Sequence, residues 1–362
     1  MDSYDIAIVG AGIAGASLAS QLAPAGSVIV LEAEDRPGYH ATGRSVAFWT
    51  ESYGGPKVQP LTEASGPFLR EHGFLSPRGA LTIGRAGQGA DIDAFVAQFS
   101  ALGVDIERYS RDEIERRIPG LKEQWTCGAM EPDCCDIDVA ALHQHYLAAA
   151  QRGGAIVATR SQMVAAQRDG SGWLLTLGGG RQLRCGILVN AAGAWADTVA
   201  QASGVRPLGL TPLRRTVVQL TMDVRVPADL PLVLDMGEDF YFKPDSGGLW
   251  LSPLDETPSP ACDAAPEELD IAVALDRLAD VVNWPVRAIS HRWAGLRTFA
   301  GDRLPVYGFD GDNPRFFWFA GQGGFGIQTA PAAASLAACV LGGSAISGID
   351  PGPFAPQRLA RG

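Results

Sequence analysis

The sequence has few features of a protein that binds nucleic acid, crosses a membrane or depends on disulfides. It carries 29 basic against 40 acidic residues, and no basic run is long enough to follow a phosphate backbone. Its six cysteines, including the adjacent Cys134 and Cys135, form no Cys-x-x-Cys pair, which favours reduced, inert thiols over a disulfide framework or zinc site. The five histidines lack ligand spacing, so we expect no metal. These absences favour small-molecule chemistry.

Long apolar runs and targeting segments are also missing. The chain enters an apolar run within a few residues of its start, without the basic and apolar regions of a signal peptide. The most apolar late segment, 330–341, is too short and too rich in alanine to cross a bilayer. We therefore expect a cytoplasmic protein with no transmembrane segment.

A strand followed by a glycine-rich turn stands at the start of the chain. Residues 5–9 predict a short buried strand, and Gly10, Gly12 and Gly15 follow with Gly-x-Gly-x-x-Gly spacing. Gly10 permits a tight turn, Gly12 lets the backbone approach a pyrophosphate, and Gly15 lets helix and strand pack closely. The next apolar strand ends at Glu32, which is placed to accept hydrogen bonds from a ribose. The combination predicts a dinucleotide-binding βαβ unit.

The 362 residues exceed what one hydrophobic core usually holds, so we expect two domains. Apolar periodicity predicts helices over 57–72, 90–102, 111–118, 139–152 and 269–282, with Asp136 and Asp138 as possible caps of the fourth. Short alternating runs over 155–189 predict a strand meander, and the proline-rich segment 256–268 predicts a surface loop.

Two later junctions also join a strand to a polar or glycine-rich turn. Strand 187–189 leads into Asn190 and Gly193, and strand 315–319 leads into the glycine-rich run 321–329. If both strands join the first sheet, the nucleotide domain is discontinuous. A nicotinamide dehydrogenase usually gathers its βαβ units in one continuous block. We therefore favour FAD over a nicotinamide cofactor. A helix starting after 324–326 would point N–H groups and its positive end at the flavin, unless the glycines serve only close packing.

The expected fold is α/β with an α+β second domain: a discontinuous Rossmann-like FAD-binding domain and an inserted mixed-sheet substrate domain. We expect the FAD-binding domain to comprise 1–80, 137–208 and 292–362, and the substrate domain to comprise 81–136 and 209–291.

Six segments, in order along the chain, carry a resemblance to a known family. They are residues 38–45, 75–78, 190–195, 205–210, 293–297 and 322–328. Over essentially its whole length the chain resembles the D-amino-acid oxidase superfamily of flavoproteins and, within it, the bacterial FAD-dependent D-arginine and D-amino acid dehydrogenases. The resemblance implies the D-amino-acid oxidase/glutathione-reductase-type architecture and FAD bound without a covalent bond, although His40 lies where some relatives attach the flavin.

The resemblance and the glycine motif together predict a set of FAD-binding residues. They are Gly10, Gly12, Ile13, Ala14, Gly15, Glu32, Ala33, Thr42, Gly43, Arg44, Ser45, Val164, Ala191, Gly193, Trp195, Gly323, Gly324, Gly326, Ile327, Gln328 and Thr329.

A flavin enzyme that oxidises an amino acid must hold the substrate carboxylate so that the Cα–H points at the flavin. Arginine does this best, through two parallel charge-assisted hydrogen bonds. Arg215 and Arg297 are the candidates, and both match carboxylate-binding positions of the family. By resemblance, the other substrate contacts are the hydroxyls of Tyr53 and Tyr241, the backbone at Gly324 and the side chain of Gln328.

The reaction implied is hydride transfer from Cα to FAD, giving an imino acid that water hydrolyses to a 2-oxo acid and ammonia. No histidine base is needed if the amine binds neutral. The electron acceptor, oxygen or another molecule, stays open, although the resemblance favours a dehydrogenase. The alternatives are oxidation of N-methyl or cyclic amino acids or of 2-hydroxy acids, and a non-catalytic flavoprotein that serves as an assembly factor.

The substrate side chain is expected to be neutral and largely apolar. In the D-arginine enzymes an acidic residue pairs with the distal cation of the substrate, and Ala80 stands at that position here. Phe48 and Trp49 replace a histidine and a tyrosine of the lid, which predicts a more apolar pocket wall. The alternative is that both only pack the lid and that another acid, such as Glu51, reaches the substrate.

Overall fold

The computed structural model describes residues 1–245, 247–343 and 348–359; positions 246, 344–347 and 360–362 of the predicted domains lie outside the described residues. The helices are α1 Ile13–Leu22, α2 Gln59–Glu71, α3 Gly89–Ser100, α4 Arg111–Arg117, α5 Val139–Arg152, α6 Ala196–Ala202, α7 Glu268–Val281 and α8 Ala330–Gly342. The strands are β1 Asp2–Val9, β2 Val28–Leu31, β3 Phe48–Trp49, β4 Leu75–Pro77, β5 Ala80–Arg85, β6 Glu107–Ser110, β7 Trp125–Glu131, β8 Cys135–Ile137, β9 Ile156–Ala158, β10 Met163–Asp169, β11 Gly172–Leu177, β12 Gln182–Asn190, β13 Thr211–Met222, β14 Leu232–Asp235, β15 Tyr241–Asp245, β16 Gly248–Ser252, β17 Thr257–Pro258, β18 Val286–Phe299, β19 Val306–Phe309 and β20 Phe316–Ala320.

One sheet combines strands from the start, middle and end of the chain. Its order is β10-β11-β12-β1-β2-β9, with β20 beside the second half of β12 and β19 beside β20. Strands β2, β1, β12 and β20 run parallel, and Val9 lies opposite Asn190. Apolar layers cover both faces, since Ala7 and Val9 pack in one cluster and Ile8 in another. Burial on both sides explains the continuous apolar runs of these strands.

A second sheet carries the other end of the site. Its order is β17-β13-β16-β15-β14-β5-β7-β6, and β18 pairs along the other edge of β13. The β13–β18 pair is antiparallel and spans nearly the full length of both strands, from Thr211 opposite Phe299 to Met222 opposite Val286. A small sheet, β3-β8-β4, holds Phe48 and Trp49 against Asp136 and Cys135.

Most predicted elements are present, with three local corrections. Helix α5 matches its predicted bounds, and Asp138 caps it by accepting a hydrogen bond from Ala141 N (2.9 Å); Asp136 instead pairs with Arg78 and Lys243. The loop 256–268 contains the short strand β17, which pairs with β13. The last helix begins only at Ala330, after a series of turns, because the segment 321–329 turns twice through left-handed glycines.

Candidate functional site

A cavity of about 620 Å³ runs from the glycine-rich turn after β1 to the β13–β18 pair of the second sheet. Its walls come from many separate parts of the chain, among them the β1–α1 turn, the end of β2, the segment 38–46, the turn after β12, the β13–β18 pair and the turns before α8. Its size is within the range of small-molecule sites.

The glycine-rich turn is shaped by close backbone contacts. Gly10 has φ = 100°, and a Cβ there would lie 2.5 Å from the carbonyl oxygen of Ala191. A Cβ on Gly15 would lie 1.9 Å from the carbonyl oxygen of Gly10, so only glycine lets α1 pack this close. Thr42 Oγ1 accepts a hydrogen bond from Ile13 N at the start of α1 (3.0 Å). The turn therefore leaves a cradle at the positive end of a helix, where a pyrophosphate fits.

Glu32 lies beside this cradle. One carboxylate oxygen accepts a hydrogen bond from Ala11 N (2.8 Å), and the other accepts one from Glu34 N (3.0 Å). Each carboxylate oxygen can accept a further bond, so the group keeps capacity for a ribose hydroxyl. His40 is already engaged: its Nε2 lies 2.9 Å from Glu34 Oε1, and its ring packs 4.5 Å from that of Trp195.

Most of the predicted FAD-binding residues line the cavity. They are Gly10, Gly12, Ile13, Ala14, Glu32, Ala33, Thr42, Arg44, Ser45, Val164, Ala191, Gly193, Trp195, Gly323, Gly324, Gly326 and Ile327. Gly15, Gly43, Gln328 and Thr329 lie behind the wall and shape it; Gly43 N, for example, donates to the carbonyl of Gly38 (2.8 Å). Among the lining residues that sequence reasoning missed are Tyr39, Gln162, Met163 and Thr198, which lie within three positions of predicted ones but belong to no motif.

The two predicted arginines meet at the far end of the cavity. Arg215 is paired with Gly295 and Arg297 with Leu213 across the β13–β18 ladder, so both side chains stand on one face as diagonal neighbours. Arg297 Nη1 donates to the hydroxyl of Tyr53 (2.7 Å). A Cβ on Gly324 would lie 2.2 Å from that hydroxyl, so the glycine allows the backbone to reach the group.

Arg215 is 6% exposed and has unused hydrogen-bonding capacity. Its Nε donates to the carbonyl of Asp255 (2.9 Å) and its Nη2 to Glu256 Oε1 (3.2 Å). Within the described residues its Nη1 and the hydroxyl of Tyr241 have no hydrogen-bond partner. Burial and the charge of Arg297 lower the pKa of Arg215 to about 10, which leaves it protonated at neutral pH. A buried cation with a donor that lacks a partner among the described residues, next to a second, half-buried cation, favours binding of an anion.

The segment that carries Tyr53 is anchored by a buried acid that sequence reasoning missed. Glu131 accepts three hydrogen bonds of 2.6 Å, from Thr50 Oγ1, Glu51 N and Ser52 Oγ. Burial raises the pKa of Glu131 despite these bonds. Glu131 follows an apolar run at the end of β7, and nothing in its sequence neighbourhood indicates contact with residues 50–52.

Gln328 supports the same segment from the other side. Its Nε2 donates to the carbonyl of Tyr53 (3.1 Å) and to Thr62 Oγ1 (3.0 Å), and the residue is 2% exposed. In this structure Gln328 therefore positions Tyr53, and its side-chain amide is occupied by protein groups.

Behind the residues that line the cavity, an apolar cluster packs against Tyr241 beside the arginines; this cluster, called the apolar wall here, includes only one of the two predicted lid aromatics. Phe48 lies 5.5 Å from the ring of Tyr53 and 6.0 Å from that of Tyr241, and Ala80 packs in the same cluster. Trp49 does not join this wall: it is 1% exposed, donates to the carbonyl of Thr62 (2.9 Å) and packs in a different cluster. Successive residues of a strand point to opposite sides, which separates the two aromatics.

Several other predictions concern groups outside the cavity. The carboxylate of Glu51 accepts a hydrogen bond from Gln59 (2.7 Å). Burial raises the pKa of the Cys134 thiol well above its usual value, in agreement with an inert cysteine. In the parts of the chain that the structure describes, no group of three or more metal-ligating side chains occurs, and no helix is long and apolar enough to span a membrane.

Comparison with known proteins identifies the family. The profile of the FAD dependent oxidoreductase family, DAO, matches residues 5–340, and the chain belongs to this family. FAD is therefore its cofactor, and the glycine cradle and the cavity fit it. The predicted α/β fold with a Rossmann-like FAD-binding domain is confirmed.

The relatives are diverse. The chain is 24% identical to hydrogen cyanide synthase subunit HcnC of Pseudomonas aeruginosa over 84% of each chain. It is 27% identical to human mitochondrial dimethylglycine dehydrogenase over 70% of this chain, which spans only 31% of that enzyme. Among solved structures, glycine oxidase from Geobacillus kaustophilus has a TM-score of 0.85 at 23% identity, with full coverage of both chains. L-proline dehydrogenase from P. horikoshii has a TM-score of 0.87 at 18% identity, covering 99% of this chain and 98% of that one.

Proposed function

We propose that this FAD-dependent oxidoreductase oxidises D-amino acids with neutral, largely apolar side chains to imino acids, which water hydrolyses to 2-oxo acids and ammonia. The observation that carries the proposal is the pair of guanidinium groups at the end of the FAD cavity, Arg215 buried and Arg297 half-buried, with Nη1 of Arg215 lacking a partner among the described residues. FAD, when bound, supplies the acceptor for the hydride that leaves Cα.

The chain's own residues position the substrate. Arg215 and Arg297 bind the carboxylate, and the hydroxyl of Tyr53, which already accepts from Arg297, orients that clamp. The hydroxyl of Tyr241, which has no hydrogen-bond partner within the geometric limits among the described residues, can donate to the same carboxylate. A carboxylate held at several points fixes the direction of the Cα–H bond, which is the main catalytic requirement for hydride transfer.

The apolar wall supports a neutral side chain. Phe48, Ala80 and Tyr241 share one cluster, and burying a guanidinium or ammonium against it would cost several kcal/mol without a partner. The D-configuration of the substrate rests on the resemblance to D-arginine and D-amino acid dehydrogenases. The cytoplasmic location of the protein and the non-covalent attachment of FAD also stay predictions.

The named relatives favour a second candidate function. They include a proline dehydrogenase, a dimethylglycine dehydrogenase and a glycine oxidase, so oxidation of a secondary, N-methylated or unsubstituted small amino acid is the alternative. The same carboxylate clamp serves both functions, and the difference lies in the groups that meet the amine.

Anaerobic reduction of the purified yellow protein distinguishes these functions. Bleaching should be fastest with D-leucine, D-methionine or D-phenylalanine. Faster bleaching with L-proline, sarcosine or dimethylglycine supports the alternative. No bleaching with any amine or 2-hydroxy acid would contradict both and favour a non-catalytic flavoprotein. Repeating the best reaction in air and with an artificial electron acceptor tells an oxidase from a dehydrogenase.

A further inference from the structure

A chain of three charged side chains links Arg215 to the protein surface. Glu256 Oε1 accepts from Arg215 Nη2 (3.2 Å), and both carboxylate oxygens of Glu256 accept from Arg303, at 2.7 and 3.0 Å. Although burial raises it, the bonds from Arg303 and the charges of Arg303, Arg215 and Arg297 lower the pKa of Glu256 overall, so it is an anion at neutral pH. A carboxylate of the protein thus contacts the group that is expected to bind the substrate carboxylate.

Arg303 stands at a strained turn, and its side chain packs on an aromatic ring. Its φ is 65°, in the left-handed region that side-chain-bearing residues rarely adopt, and its N–H donates to the carbonyl of Ala300 (2.9 Å). Its guanidinium lies 4.1 Å from the ring centre of Phe299, which also packs against the turn at Gly323. An arginine at a strained turn, with its planar group packed against a ring on one side, favours a specific role for its guanidinium.

The other acids nearby are neutralised elsewhere. Asp255 gives Arg215 only its backbone carbonyl, while its carboxylate accepts from Thr216 N (2.6 Å) and Thr216 Oγ1 (3.0 Å) and lies 3.8 Å from Arg214. Glu256 is therefore the carboxylate hydrogen-bonded to the clamp itself. Its negative charge lowers the positive charge that Arg215 and Arg297 offer to a ligand, although Arg303 compensates part of it.

We infer that Glu256 is a specificity-determining residue that restricts the clamp to monocarboxylates, and that Arg303 holds Glu256 back from full pairing with Arg215. The inference rests on the proposed carboxylate-binding role of Arg215 and adds the exclusion of acidic substrates. Glu256 contacts Arg215 from outside the cavity lining, so a second carboxylate on the ligand adds a like charge to a clamp that already contacts one, and such repulsion is stronger where the charges are partly buried.

Substitutions of Glu256 and of Arg303 should have opposite effects on carboxylate binding. Glu256→Gln keeps an acceptor for Arg215 and removes the charge, so it should tighten propionate slightly and malonate about ten-fold, as titration calorimetry of the FAD-loaded protein measures. Arg303→Met frees Glu256 to pair with Arg215, so it should weaken both ligands several-fold. In the double variant the effect of Arg303→Met should vanish, because the competing carboxylate is gone.

Turnover gives the second readout. The kcat/KM ratio of glutamate to leucine, of whichever enantiomer the wild type oxidises, should rise about ten-fold in Glu256→Gln. Glu268→Gln is the matched control, because it makes the same change in net charge at the exposed pair with Arg292. It should leave the glutamate-to-leucine ratio and the affinities for propionate and malonate unchanged.

The outcomes separate the inference from the proposed function. If the wild type binds propionate and oxidises amino acids, but Glu256→Gln weakens propionate and malonate as much as Arg303→Met does, Glu256 merely supports Arg215 and the inference is overturned. If the wild type binds neither carboxylate and no amino acid bleaches it, the proposed function fails, and the inference fails with it.

Discussion

Arg297 donates a 2.7 Å hydrogen bond to the hydroxyl of Tyr53, which lies 244 positions earlier in the chain. The bond joins the second sheet to the segment 50–53, which is also hydrogen-bonded to Glu131 and Gln328. The position of Tyr53 therefore depends on the second sheet, on the segment 50–53 and on the turns before α8. Loss of any one of these supports should alter carboxylate binding before it alters FAD binding.

The purified protein should be yellow and should release intact FAD on denaturation, because the cavity holds the glycine cradle and His40 is already paired with Glu34. The absorbance spectrum of the supernatant after heat or acid precipitation measures the release. Flavin that stays with the precipitated chain would contradict non-covalent binding, and bound NAD without flavin would contradict the cofactor itself.

Arg215→Met and Arg297→Met should each weaken carboxylate binding while FAD stays bound. Each change removes a charge-assisted pair worth about 1.5 to 3 kcal/mol, which corresponds to a ten- to hundred-fold rise in Kd. Propionate titration and substrate saturation measure the effect. Arg292→Met is the control, because Arg292 lies on the same strand as Arg297 but is exposed. This variant should bind carboxylates like the wild type. Unchanged binding in both site variants would remove these arginines from the site.

Carboxylate binding should be lost at high pH through Arg215. Only the protonated guanidinium binds the anion, and the pKa of Arg215 is lowered to about 10, so binding is complete below that pH and weakens as the pH rises through it. Propionate carries no amine and stays ionised throughout, so its Kd between pH 7 and 11 isolates this group.

Arg215→Met provides the control for this pH dependence. Although burial lowers it, the neighbouring Tyr53 and Tyr241 raise the pKa of Arg297 overall, so the variant should bind more weakly but with no inflection near pH 10. An inflection of the same size in the variant would assign the titration to another group.

Substrate choice should respond to a single position beside the apolar wall. Ala80→Glu should shift kcat/KM from D-leucine toward D-arginine, because it supplies the missing partner for a distal cation. The new acid would lie opposite Glu131 in the β5–β7 ladder, so some loss of stability is expected, which a thermal melt would record. Ala80→Gln has the same shape without the charge and should not favour D-arginine. A wild type that already prefers D-arginine would refute the apolar pocket.

Removing the charge of Glu131 should loosen the Tyr53 segment. Glu131→Gln leaves one acceptor oxygen where three donors converge, so unsatisfied groups should cost about 1 to 3 kcal/mol of folding stability. KM should rise more than kcat falls, since the clamp loses a contact but the flavin site does not. Equal kinetics with lowered stability would show that the anchor has no effect on the site.

The sequence by itself determined the FAD end of the site. Gly10, Gly12 and Gly15 act through backbone geometry and Glu32 through its carboxylate, all within one βαβ unit, so their spacing alone carries the prediction. The arginines were different: Arg215 and Arg297 lie in ordinary sequence surroundings, and only the family resemblance selected them. The β13–β18 register explains why they meet, but no local pattern encodes that register.

Only the tertiary structure decided what surrounds the clamp. Glu256, Arg303 and Glu131 each act through partners far away along the chain, and a lone acid or arginine in a loop has no periodicity or spacing that reveals its partner. Trp49 illustrates the same limit, since the strand pleat turned it away from the wall that Phe48 joins. Local physics specifies turns and strand ends, whereas the packing of whole sheets selects which distant charges come into contact.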